Sequence, residues 1–203
     1  MKNFLAGIVL TATILGGGEA MAAYISGNLN MVGDFQPQNA GGNTQNMTTA
    51  TKIDFFPAGG GTGTFSTLTA TGDLAVFANQ INGGTIKDLT FAPFASVAGF
   101  YTITVGGATL TFDMQSLTVD NQNASFLNIS GAGILHLTGY DDTPGNWIFS
   151  GQSSNGASPR ATFAWSAGSS TDAPQDNVPE PASLALMGLG LLAAGAARRR
   201  KAN

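Results

Sequence analysis

The chain of 203 residues contains no cysteine. That absence removes thiol nucleophiles, thiolate metal ligands and disulfides together. Glutamate is nearly missing as well: its two copies, Glu19 and Glu180, stand near the ends. A glycoside hydrolase would have to find both its acid and its base among aspartates, which weakens that reading. Cations are scarce between the ends. Residues 23–178 hold Lys52, Lys87 and Arg160 against ten aspartates, a net charge of −7 where the whole chain carries −4. With no cationic stripe to displace counterions, nucleic acid is excluded as a partner. His136 is the sole histidine, set between Leu135 and Leu137. No G-x-S-x-G pattern offers a serine for it to activate, so it reads as a structural or solvated side chain. No catalytic residue, metal site or cofactor is read from the sequence, and the protein is expected not to be an enzyme.

What the chain does have is glycine, 28 residues of it, among threonine, serine, asparagine and the β-favouring Phe, Ile and Val. No stretch between the ends keeps a helical period. Short alternating segments recur instead, at 24–32, 52–56, 62–69, 73–77, 85–91, 100–105, 108–114, 117–119, 125–129, 134–138, 147–149 and 162–165. Residues 33–51 read as a long polar loop, and Gly131 and Gly133 as an interruption between strands. These twelve segments, counted as roughly ten or eleven strands at spacings of about 8–12 residues, predict an all-β antiparallel body. The pattern fits a sandwich or a barrel, and a β-sandwich or jelly-roll-like form is the reading preferred.

Both ends differ from this body. Lys2 precedes an uncharged, mostly apolar stretch, 4–15, too short to span a membrane as a helix. Ala20-Met21-Ala22 follows with small residues at the positions a signal peptidase reads. Cleavage is expected after Ala22, leaving Ala23 as the new amino terminus. At the other end Val178-Pro179-Glu180-Pro181 is stiff and incompatible with helix. An uncharged run follows from Ala182 to Ala197, its hydrophobicity supplied by Leu184, Leu186, Leu189, Leu191 and Leu192 and diluted by three glycines. As a helix its 16 residues would reach roughly 24 Å against a hydrocarbon core of about 30 Å. Arg198, Arg199, Arg200 and Lys201 then form a basic stop that can snorkel and hold the tail in the cytoplasm. The run reads as a marginal, temporary anchor.

This order of parts, Pro179-Glu180-Pro181, an apolar helix and a terminal arginine cluster, resembles the PEP-CTERM sorting signal. The resemblance covers about an eighth of the chain. It implies export by a Gram-negative bacterium that makes exopolysaccharide, and recognition by an exosortase, a membrane enzyme thought to cleave near the Pro-Glu-Pro. The body is also similar to small PEP-CTERM proteins of unassigned function through Ile53-Asp54-Phe55-Phe56-Pro57 and Asp141-Asp142-Thr143-Pro144-Gly145. That second similarity implies no activity.

The expected organisation is a signal peptide, 1–22; a β body, 23–165; a linker, 166–177; and the sorting signal, 178–203. Expected partners are an exosortase, the inner membrane in passing, and exopolysaccharide. One turn invites a ligand. Asp141 and Asp142 could begin an oxygen-ligand site for calcium, and Trp147 with Tyr140 could offer flat surfaces to a sugar. The plainer reading is a Pro-Gly turn between two strands, with Trp147 in the core. The sequence thus points to an exported surface or matrix protein of a biofilm. A carbohydrate- or calcium-binding module is the alternative, and a glycoside hydrolase stands behind both.

Overall fold

Residues 23–153 and 160–169 are those that the computed structural model describes. All of them lie in one compact unit, Met21–Ala173. Eleven strands succeed one another there: β1 (Asn28–Gln38), β2 (Lys52–Phe55), β3 (Thr62–Ala70), β4 (Gly84–Lys87), β5 (Leu89–Thr90), β6 (Val97–Val105), β7 (Ala108–Met114), β8 (Thr118–Gln122), β9 (Phe126–Leu137), β10 (Thr143–Gln152) and β11 (Ala161–Ser169). The predicted all-β, antiparallel class is what is found.

The predicted two-sheet sandwich is not. Eight strands follow the order β11-β10-β9-β7-β6-β4-β3-β1, and β1 pairs back onto β11 from Asn28↔Gly168 to Phe35↔Ala161. The sheet therefore closes into a barrel-like ring. Closure rests on β1, which pairs β3 along one edge and β11 along the other. A closed ring leaves no unpaired edge to shield. Outside it, β2 pairs the end of β1, β5 pairs β2, and β8 pairs β9.

Alternation sends one face of each strand inward. Trp147 and Phe149 of β10 and Phe163 and Trp165 of β11 are buried, with Phe35, Tyr101 and Phe112 among their neighbours in the core. The Trp147 and Trp165 rings stack, their centroids 4.6 Å apart and their planes 5° from parallel. The core is thus largely aromatic, and edge-to-face contacts such as Phe55–Phe163, at 5.1 Å, fill the remaining space.

Three departures from the expected elements have local causes. β1 continues through Gln38, where a loop is predicted from residue 33, because Gly33 sits where a side chain cannot. A Cβ there would lie 2.7 Å from the Phe163 ring. Gly133 likewise does not interrupt β9. Its missing Cβ would fall 2.2 Å from the Asp113 carbonyl oxygen, so glycine is what lets β9 run unbroken past β7. Residues predicted as a strand at 73–77 form a 3₁₀ helix, Gly72–Phe77, entered through Gly72 at φ +58°. It buries Leu74 and Phe77. At the far end of the body β11 extends to Ser169, so the first four residues of the expected linker belong to the barrel.

Candidate functional site

One end of the barrel gathers the first described residues, the last strand and the predicted ligand turn. Residues 23–27 cross it as a strap. The Ala23 carbonyl accepts the Asp141 N–H at 3.1 Å, and the Ile25 N–H donates to Thr143 Oγ1 at 2.8 Å. Ser26 is held twice by Asp73: its N–H donates to Oδ2 at 2.8 Å, and its carbonyl accepts the Asp73 N–H at 2.8 Å. The Ser169 N–H, at the close of β11, donates to the Gly27 carbonyl at 3.2 Å. Ile25, only 2% exposed, fills the mouth beneath this strap. Gly27 has φ +144°, and a Cβ there would lie 2.1 Å from the Thr71 carbonyl oxygen. The segment just after the expected cleavage point is therefore an integral part of the fold.

The turn from β9 into β10 lies at the same end. Asp142, though exposed, pairs with His136: its Oδ1 is 2.6 Å from His136 Nδ1. On the other side Asp113 Oδ2 is 3.3 Å from His136 Nε2, without the alignment of a hydrogen bond. Burial lowers the histidine pKa, but the hydrogen bond and charge of Asp142, with Asp113 behind them, outweigh it and raise the pKa above its ordinary value. Both ring nitrogens thus face carboxylates, and neither is offered to a hydroxyl. Through Asp142 the cluster ties β9 to the turn that leads into β10.

Asp141 and Trp147, predicted beside Asp142, do not join it. Asp141 contributes its backbone to the strap, and its carbonyl accepts the Thr143 hydroxyl at 2.8 Å. Trp147 is 1% exposed and stacked on Trp165, so it belongs to the core, as the plainer reading has it. Tyr140 gives its hydroxyl to Asp73 at 3.0 Å, and that bond raises the tyrosine pKa. Among the described residues no group of three or more His, Cys, Asp or Glu side chains could hold a metal ion.

The Ile53-Asp54-Phe55-Phe56-Pro57 segment has a different use, at the opposite end. Asp54 is 2% exposed and accepts from Gln38 Nε2 at 2.6 Å and from the Gly59 N–H at 3.1 Å. Asp88 accepts the Phe55 N–H at 3.1 Å and pairs with Lys52 at 3.1 Å. Burial, assisted by the neighbouring Asp54, raises the Asp88 pKa against the pull of Lys52. The two carboxylates fasten β2 to the loops around it. Sequence reasoning missed this role; an aspartate inside an otherwise apolar strand was the available signal.

The predicted cleavage residues Ala20 and Ala22, the motif Val178 to Pro181, the apolar run from Ala182 and the basic stop all lie outside the described residues. Among the described residues no helix is long and apolar enough to cross a membrane. Residues 177–201 match the PEP-CTERM protein-sorting motif. No curated protein and no solved structure matches the chain. The chain thus carries a PEP-CTERM sorting motif in its tail, and that motif implies export, a membrane-anchored precursor stage and exosortase processing toward the surface.

Proposed function

We propose that this is a non-enzymatic surface or matrix protein of a Gram-negative bacterium, delivered by its tail and retained in exopolysaccharide. The observation that carries the reading is the sorting motif at 177–201, joined to a body whose one histidine is committed to two carboxylates. The signal peptide is removed after Ala22. The segment from Ala182 to Ala197 holds the precursor in the inner membrane, and Pro179-Glu180-Pro181 presents an extended site just outside it. The barrel is the cargo.

The test is fractionation and blotting in a host that has an exosortase and in one that lacks it. Processed protein should appear outside the cell in the first host, and the larger precursor should stay with the membrane in the second. Glu180→Ala should leave insertion intact, since it lies outside the apolar run, and should impair processing. Replacing Arg198, Arg199 and Arg200 should disturb retention or topology instead. Identical size and location in both hosts would mean that the tail is a plain anchor. Retention in the polysaccharide matrix is scored separately, by release of the processed protein when that matrix is extracted.

A further inference from the structure

The outer face of the barrel has a groove that neither the strap nor the turn uses. It crosses β3, β1, β11 and β10, and two adjoining depressions of about 610 and 360 Å³ share Val32, Ser150 and Ala164 as lining. A barrel's outside is normally convex. Here the outward side chains of the middle strands are small, while larger ones stand at the borders: Leu68, 51% exposed; Ile148, 59%; and Phe126, 43%.

We propose that this groove binds a neutral polysaccharide chain. The proposal rests on the matrix reading above and supplies its contact surface. Sugar rings present C–H faces and hydroxyl edges, so a site for them combines apolar floor with uncharged donors and acceptors. Val32 and Ala164 give the floor, and Ser66, Ser150, Gln152 and Thr162 give the edges. Gln152 and Thr162 make no side-chain hydrogen bond among the described residues, so their polar atoms are available to a ligand. Charge selects within the class. Asp34, the one charged residue lining the groove among the described residues, is bound to Arg160 through Nε at 3.1 Å and through Nη2. The body around it is net acidic. An acidic glycan would meet repulsion without an ion to pair; a neutral one meets neither. Being open along the sheet, the groove suits the middle of a chain rather than its end.

Affinity electrophoresis of the full chain in detergent tests this, in gels containing dextran, laminarin or, as the charged comparison, alginate. Wild-type protein should be retarded by a neutral polymer and not by alginate. Ala164→Trp should abolish the retardation by filling the floor. Gln152→Ala and Thr162→Ala, which only trim exposed side chains, should weaken it without altering the melting temperature. Val119→Trp, on exposed β8 away from the groove, should leave it unchanged. No retardation by either neutral polymer, undiminished retardation of Ala164→Trp and of the trimmed variants, or retardation by alginate as strong as by a neutral polymer overturns the proposal. So does a groove that proves to pair two copies, seen as a change in sedimentation of Ala164→Trp with no effect in the gels. Matrix retention is read independently. Wild-type protein that is retained equally well with Ala164→Trp preserves the matrix reading and rejects the groove.

Discussion

At the scale of single residues the most consequential side chains are polar groups inside an aromatic body. His136 titrates with a sign that can be worked out. Its folded pKa lies above its unfolded one, near 6.5, so its contribution to stability is fully present below that unfolded value. The contribution is lost as pH rises through the folded pKa. Urea midpoints of the wild type and His136→Gln, measured from pH 5.5 to 8.5, should differ most at the acid end and converge at the alkaline end. A gap that widens with pH would contradict the pairing with Asp142 and Asp113. Asp54 makes a second test. Asp54→Ala takes the 2.6 Å acceptor from the buried Gln38 amide, leaving it only Gln36, and a buried polar group short of its partner costs about 1–3 kcal/mol. Chemical denaturation should show a loss of that order, with Asp54→Asn milder because it keeps an acceptor. The sequence flags Asp54 as unusual but names no partner for either group, because folding, not closeness in the chain, brings Gln38 to Asp54 and Asp113 to His136. Trp147 shows the same limit: it stands five residues from Asp142 in sequence, yet the pleat turns it inward onto Trp165.

At the scale of elements the strap of residues 23–27 links processing to folding. Its backbone is bonded to Asp73, Asp141, Thr143 and Ser169, and a peptidase needs extended chain on both sides of the bond that it cuts. Cleavage after Ala22 should therefore precede closure of this end of the barrel. Precursor unfolded in urea and diluted into signal peptidase should be cut to Ala23 faster than precursor folded beforehand; equal rates would detach the strap from processing. Ile25→Ala should cost about 2–5 kcal/mol, as other emptied core sites do, visible as a lower urea midpoint. Most strands were legible because alternation survives wherever one face is wet, as in Phe-Ala-Trp at 163–165. Three of the misjudged elements involve glycine. Gly33 and Gly133 look like breaks in sequence and are close crossings in space, while Gly72 starts a 3₁₀ helix whose apolar residues resemble a strand. Only the neighbouring chain tells these uses apart.

At the scale of the whole molecule, the class of fold could be read from the sequence but its closure could not. A sandwich and a barrel share strand lengths, alternation and turns; they differ in whether the first strand meets the last. Here it does, and the Gly27 N–H lies 3.5 Å from the Ser169 hydroxyl across 142 residues. Contacts of such long range form late, because loop closure must come before they stabilise anything. For an exported chain this sets an order. β1 emerges first and waits with one edge unpaired until β11 has crossed as well. The sorting tail begins a few residues beyond β11, so the body can close while the tail is still held for processing. Chains ended at two points separate these parts. One that stops at Asn177 retains every ring strand and should resist limited proteolysis as the full chain does. One that stops at Gln152 loses β11, leaves β1 and β10 with open edges and exposes Trp147, whose stacking partner is gone. It should be cut rapidly and aggregate. Equal protease resistance of the two would show that the ring does not depend on its closing strand, and the barrel would have to give way to an open sheet.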